Sequence, residues 1–438
     1  MASTSGEAEQ DDSLNLLKDM LEITWGSTLK EEVFSRWAQG FVFSEDEVTA
    51  LLQHEGGPCA VIAPVQSFIL KNVLFSSENG DEWRHTEGDQ IKELLICSLS
   101  EMLAMVGTDR YIVVVQGDKQ HSVIENYTEE GAEAPPDHAT FHSSLRLQQF
   151  DGIEEVHHAL QSVYSMYTGY FGVILFLYSV LLTKGIENIR NEKEDPNEPL
   201  IDCTYGHGSQ SLINLMLTGS SVSNVWDNEK EISGLKLKGI TQQTSIGFLT
   251  LLEHLRYCEV GWYLKNPRYP IWLLGSETHL TVVFSKEISL VAQESPWSKA
   301  RRIFNSYDPE DCGFIAGCLL GDVMRALELV SEPEYVKIMV NKLDPDEYGI
   351  VLLSGFMEEF FPNEPKSPYP DDFLIYHYNG LKRSSQSRKV VYIEGTTNIY
   401  DPSEIKCVTD STPIKTCLQT KWPGIEVQWQ DGITPSIN

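Results

Sequence analysis

The stretch Gln53-His54-Glu55-Gly56-Gly57-Pro58-Cys59-Ala60-Val61-Ile62-Ala63-Pro64-Val65-Gln66 decides how this chain is read. Gly56, Gly57 and Pro58 let the backbone turn sharply, and the small apolar run that follows suits a buried helix. Cys59 therefore falls at or beside a helix N-terminus. Unpaired N–H groups and the helix dipole favour a thiolate there, the form of sulfur that attacks carbon. Gln53 lies six residues upstream, close enough for its amide N–H to join a backbone N–H in holding a developing oxyanion. The competing reading is a buried structural cysteine after a turn.

A nucleophilic thiol needs a histidine to take its proton and return it to the leaving group. Eleven histidines are present. His121, His138 and His142 fall in a polar stretch and are expected to be solvated, and His85 sits in an exposed turn. His157 and His158 are adjacent on a helix, so at most one faces a given direction. His279 stands at the head of an apolar strand in Trp272-Leu273-Leu274-Gly275-Ser276-Glu277-Thr278-His279-Leu280-Thr281-Val282-Val283-Phe284. A helix-borne cysteine followed far downstream by a strand-borne histidine resembles the papain-type thiol hydrolases. His207, between Gly206 and Gly208, is the rival base and reads as part of a loop lining the cleft. Thr281, Glu277 and Asn379 are the candidates for orienting the imidazole, Thr281 because it shares a strand face with His279.

The chain has 438 residues, 33 Lys and Arg against 64 Asp and Glu, and a formal net charge of −31. That balance argues against a nucleic-acid partner, because phosphate contacts need cations. The 41% hydrophobic content supports a sizeable core. The eight cysteines form no C-x-x-C pair or regular framework, and no secretory signal is evident, so an intracellular protein with free thiols is expected, in cytoplasm or nucleus. No metal centre and no cofactor are expected. The apolar run Gly172 to Leu182 is too short for a membrane span of about 20 residues and reads as a core helix.

Patterning predicts an α+β chain. Residues 1–12 read as disordered, with a helix from Leu14 to Trp25. Ser44 is an N-cap candidate for a helix ending near Leu52. A polar insertion runs from about 117 to 142, helices cover Val156 to Ile189, and shorter helices cover Leu212 to Leu217 and Ile246 to Tyr257. Strands are expected at Tyr111–Val115, Ile271–Leu274, Leu280–Phe284, Ile375–Tyr378, Val390–Ile393 and Ile425–Trp429. Residues 13–296 and 364–438 form one domain, interrupted by a helical insertion at 297–363.

That insertion carries its own signature. Asp308-Pro309-Glu310-Asp311-Cys312-Gly313-Phe314-Ile315 begins like an EF-hand loop, and Asp344-Pro345-Asp346-Glu347-Tyr348-Gly349-Ile350-Val351 repeats it 36 residues later. Leu319 and Gly355 occupy the twelfth positions, where calcium requires a bidentate glutamate, and Cys312 and Tyr348 the fifth. A structural or protein-partner role is expected ahead of a calcium-responsive scaffold.

The run Gln53 to Gln66, the histidine segment Pro270 to Phe284, Tyr205-Gly206-His207-Gly208-Ser209-Gln210-Ser211-Leu212-Ile213-Asn214-Leu215 with Leu217-Thr218-Gly219, and Lys421-Trp422-Pro423 together resemble the MINDY family of deubiquitinases. The likeness covers about residues 30–290 and 373–432. It implies a papain-like cysteine protease fold with an EF-hand-like insertion, acting on polyubiquitin with preference for the degradation-signal linkage. It also implies Cys59 as nucleophile, His279 as general base and acid, Gln53 as oxyanion donor, and Gly57, Pro58 and His207 as substrate-binding residues. A catalytically weak ubiquitin-binding adaptor is the alternative within the same resemblance.

Overall fold

The computed structural model describes residues 4–76, 83–86, 88–107, 109–117, 136–232, 234–291, 295–308, 312–363, 370, 372–400 and 411–438. The chain divides into two compact units, Met1–Glu287 with Asp372–Asn438, and Ile288–Asp371. The expected insertion at 297–363 lies inside the second. His121 lies outside the described residues.

The first unit opens with α1 (Thr4–Trp25) and α2 (Glu31–Trp37), then α3 (Cys59–Lys71) and α4 (Asp89–Val106). β1 (Tyr111–Gln116) leads to α5 (His138–Ser143), capped by the Asp137 side chain, and to β2 (Leu145–Phe150), its antiparallel partner. Helices α6 (Ile153–Ser162), α7 (Tyr164–Thr168), α8 (Gly172–Lys184), α9 (Ile186–Glu192) and α10 (Gln210–Thr218) complete the helical layer. α3 is buried along its whole length and α8 along all but its last two residues, as expected of helices that are apolar all round. The segment Cys59–Ser76 is apolar and long enough for a membrane span by composition alone, yet 83% of it is buried within the protein.

A ribbon of β3 (Lys230–Ile232) and β4 (Leu235–Leu237) precedes β5 (Gly247–Thr250), α11 (Leu251–His254), α12 (Trp262–Lys265), β6 (Ile271–Gly275) and β7 (Leu280–Phe284). In the second unit, α13 (Pro296–Ser306), β8 (Phe314–Ala316) and α14 (Leu320–Ala326) are followed by α15 (Pro333–Leu343), β9 (Ile350–Leu352) and α16 (Leu353–Phe360). β8 and β9 pair antiparallel with Ile315 opposite Val351, and Gly313 and Gly349 both take φ of +78°. Each loop folds back on its leading aspartate: Asp308 accepts from the N–H groups of Cys312 and Gly313, and Asp344 from those of Tyr348 and Gly349.

The chain then returns to the first unit as β10 (Asp372–Tyr378), β11 (Ile393–Ile399), α17 (Pro413–Gln419) and β12 (Ile425–Trp429). The six-stranded sheet runs β12-β11-β10-β7-β6-β5, antiparallel except for the β5–β6 pair. α3 packs across β6 and β7. The thiol-bearing helix therefore lies on the strands that flank His279.

Several expectations are corrected. The first helix begins at Thr4, so residues 4–12 are helical. No helix forms from Ser44 to Leu52. Phe43 and Leu51 instead make an antiparallel bridge, Ser44 Oγ accepts from the Asp46 N–H, and the buried Gln66 side chain accepts from Leu51 N at 2.6 Å and donates to Thr49 O at 3.0 Å. Side chains that satisfy backbone groups in this way compete with the helix. Residues 247–250 form a strand rather than a helix. A Cβ at Gly247 would lie 2.2 Å from the Trp272 ring, and a short apolar run reads equally well as strand or helix. The second C-terminal strand, expected at Val390–Ile393, pairs over Ile393–Ile399, leaving Val390 and Tyr392 as buried loop residues. The polar stretch ends as helix α5, and His142 is not solvated: it meets Tyr178 Oη at 2.8 Å, and burial lowers its pKa to about 4.

Candidate active site

Cys59 is the first residue of α3 and Pro58 its N-cap. The Pro58 carbonyl accepts from Val61 N and Ile62 N, both at 2.9 Å, which starts the helix at the cysteine. Gly57 takes φ of +131°, and a Cβ there would meet Trp37 Nε1 at 3.0 Å and Gly206 O at 3.1 Å. Only glycine fits that backbone and that space. Gly208 is equally confined, since a Cβ would fall 2.4 Å from the Ala60 Cβ. The Asp202–Gly208 turn is thereby held against the start of the thiol-bearing helix. Trp37 Nε1 donates to Gly206 O at 2.8 Å and fixes the turn from the other side.

The sulfur is covered, with Cys59 only 5% exposed. Burial pushes its pKa up to about 11, against opposing hydrogen bonds from the backbone of Leu280, Ala60, Cys59 itself and Gly57. The thiolate expected from the helix N-terminus is therefore not the resting form, because desolvation outweighs the helix end. The Leu280 contact joins the thiol to the residue immediately after His279.

His279 is locked by the hairpin between β6 and β7. Its backbone N–H donates to Ser276 Oγ at 3.0 Å, and its carbonyl accepts from Ser276 N at 3.0 Å and Ser276 Oγ at 3.1 Å. Its ring Nε2 lies 3.1 Å from Asn379 Oδ1. The network around Asn379 fixes the amide orientation. Oδ1 also accepts from Leu381 N at 3.0 Å, while Nδ2 donates to Ser436 O at 3.0 Å and Asn438 O at 3.4 Å. An acceptor oxygen facing Nε2 places the imidazole proton there and leaves Nδ1 as the base nitrogen. Burial lowers the His279 pKa to about 4; the Asn379 bond opposes this, and the positive fields of Arg383 and His207 add to it.

The other sequence candidates fall as follows. Thr281 is buried, but its Oγ1 has no hydrogen-bond partner, so its support of His279 is replaced by that of Asn379. Glu277 is exposed. Gln53 is buried and bridges to Leu381, with its N–H on Gly380 O at 2.8 Å. Its Nε2 donates to Glu55 O at 2.7 Å. His207 stacks on the exposed Tyr205 ring at 6.3 Å and lies near enough to His279 to bear on its charge.

His377, on β10 behind His279, escaped the sequence reading. It is fully buried, neither ring nitrogen has a partner, and burial, then the neighbouring His279, lowers its pKa to about 3. It sits within an apolar strand run, where nothing in sequence marks it apart.

A cysteine at a helix start, a histidine at the head of a neighbouring strand and an asparagine hydrogen-bonded to that histidine, in this chain order, match the arrangement of a papain-type cysteine hydrolase site. The conserved domain of the deubiquitinating enzymes MINDY-3/4 matches residues 22–307. The chain is 51% identical to the ubiquitin carboxyl-terminal hydrolase MINDY-3 of Homo sapiens and to that of Bos taurus over 444 aligned residues, covering 97% of this chain and 99% of each relative. It is 32% identical to the probable ubiquitin carboxyl-terminal hydrolase MINDY-4 of Bos taurus, across 67% of this chain and 38% of that relative. No solved structure matches. The chain belongs to the MINDY-3/4 family of deubiquitinating enzymes.

Proposed function

We propose that this chain is a thiol-dependent deubiquitinase that hydrolyses isopeptide bonds in polyubiquitin, with preference for chains joined through lysine forty-eight of ubiquitin. Cys59 attacks the carbonyl of the ubiquitin C-terminal glycine. His279 Nδ1 takes the thiol proton and delivers it to the leaving lysine amine. Water then cleaves the thioester with His279 as base. Asn379 keeps the imidazole in the required tautomer, and the second amide hydrogen of Gln53 stabilises the oxyanion. Gly57, Pro58 and the His207 turn line the entry of the peptide tail, and the Asp202–Gly208 turn moves aside to admit it.

One observation carries this reading: Cys59 opens α3, which lies across the β6–β7 hairpin holding His279, and the His279 ring Nε2 meets Asn379 Oδ1 at 3.1 Å. The adaptor alternative requires an imidazole without an orienting partner, whereas His279 Nε2 stands 3.1 Å from Asn379 Oδ1. An intracellular setting, in cytoplasm or nucleus, belongs to the same reading; the described cysteines are all free. The paired loops of the second unit offer a surface for a protein partner.

The test is incubation with a panel of defined-linkage chains, comparing wild type with Cys59→Ala. Shortening of lysine-forty-eight-linked chains by wild type alone is expected, with loss of labelling by an electrophilic ubiquitin probe in the variant. Undiminished labelling of Cys59→Ala refutes the nucleophile. Equal cleavage of all linkages refutes the preference.

A further inference from the structure

We propose that Glu93, Cys97 and His157 form a binding site for one divalent cation of the zinc class, fastening α6 to α4. Glu93 and Cys97 stand four residues apart on α4, so their side chains share one helix face. His157 reaches them from α6, which packs across α4. The one ligand atom offered by each residue lies within 4.8 Å of the other two. Glu93 Oε1 is 3.1 Å from His157 Nε2 and 3.3 Å from Cys97 Sγ. A tetrahedral zinc ion with bonds of about 2.0–2.3 Å holds its ligand atoms roughly 3.3–3.8 Å apart. The three side chains thus already stand at close to ligand spacing, and a small rotamer adjustment opens the centre.

The donor set selects the ion. Sulfur and imidazole nitrogen exclude calcium and magnesium, which take oxygen, and with one carboxylate they suit zinc. Thiolate and carboxylate together neutralise a doubly charged cation, with the Cys97 proton released to solvent on binding. Glu101, one turn further along the same helix, adds negative field, as does a chain of net charge −31. Glu93 is exposed while Cys97 and His157 are half-buried, so the fourth position opens to water. Cysteine spacing could not reveal this site, because its ligands come from two helices 60 residues apart (97 to 157).

The test uses the full-length protein and cobalt alone as a spectroscopic stand-in for zinc. Wild type is expected to show the near-ultraviolet thiolate-to-cobalt charge-transfer band and the intense visible bands of a tetrahedral ion, both abolished by added zinc. Cys97→Ser, nearly isosteric, removes the charge-transfer band although the exposed Cys203, Cys312 and Cys318 remain. His157→Ala keeps the band but weakens affinity by at least tenfold, since losing even an outer-shell partner of a metal costs roughly 10–100-fold. Thermal unfolding of the metal-free proteins serves as the fold control for both variants. Absence of the band in wild type, or its survival in Cys97→Ser, overturns the proposal. Neither result bears on the deubiquitinase reading.

Discussion

Replacing Asn379 with alanine tests the orienting role directly. The substitution removes the acceptor 3.1 Å from His279 Nε2 and the donor to Ser436 O at 3.0 Å. A hydrogen bond lost with one partner left buried costs about 1–3 kcal/mol. If that loss falls on the transition state, the rate drops roughly 5–150-fold. Asn379→Asp separates acceptor from donor: it keeps an oxygen on Nε2 but adds a negative charge and removes the amide donor. His279 is held down to about 4 by burial, so the wild-type imidazole is already the neutral base above that pH. A carboxylate favours the imidazolium and raises that pKa, so the acid limb of kcat/KM must move to higher pH. The assay is cleavage of a fluorogenic ubiquitin amide across pH, with thermal unfolding as control. An alanine variant with wild-type rate, or an aspartate variant with an unmoved acid limb, would refute the assignment of Asn379.

Three other perturbations give sharp outcomes. Gly208→Ala places a methyl 2.4 Å from the Ala60 Cβ, so a stability loss of about 1–3 kcal/mol is expected, with a larger fall in Cys59 probe labelling than unfolding explains; normal labelling would show that the turn does not govern the thiol. Gln66→Leu strips partners from Leu51 N, Thr49 O and Tyr392 Oη, and chemical denaturation should report a loss of about 2–5 kcal/mol. Calcium should leave calorimetry flat and the melting temperature unchanged, because Asp308 and Asp344 already spend their oxygens on loop N–H groups; measurable heat would restore the calcium-responsive reading.

The strands flanking His279 were legible because an apolar run broken by Gly275-Ser276 has one simple reading, a hairpin. The start of α3 was legible for a similar reason, since glycine and proline end one segment just where an apolar one begins. The 43–53 segment was not, because its backbone partners are side chains such as Gln66 and a strand residue more than 300 positions away: Tyr378 Oη donates to Leu51 O at 2.7 Å. Asn379 could be named from sequence only as one of three candidates. What selects it is the pairing of β10 with β7, which sets Tyr378 opposite Val282 and brings the next residue to the imidazole. The charge state of Cys59 was misread for a different reason. A helix terminus is visible in sequence, whereas the depth of burial that overrides it is a property of the folded chain.

That override sets how the dyad must work. With the thiol near 11 and the imidazole near 4, moving the proton between them costs on the order of 10 kcal/mol. Attraction between the resulting charges, only about 4 kcal/mol even for a pair roughly 4 Å apart at an effective dielectric of about 20, falls short of that. The resting pair is therefore neutral, and burial is the leading cause on both sides. Uncovering the site is what should ionise it. At pH 7 burial keeps Cys59 as the neutral thiol, so iodoacetamide should modify this residue slowly, at a rate rising roughly tenfold per pH unit into the alkaline range, as read by mass spectrometry of its peptide. Trp37→Phe deletes the indole N–H that holds Gly206 O at 2.8 Å while keeping an aromatic ring in the core. Loosening the covering turn in this way should speed alkylation at fixed pH and shift the profile toward lower pH. A wild-type profile already flat above pH 6, or a Trp37→Phe profile identical to wild type, would show that something other than this cover controls the sulfur.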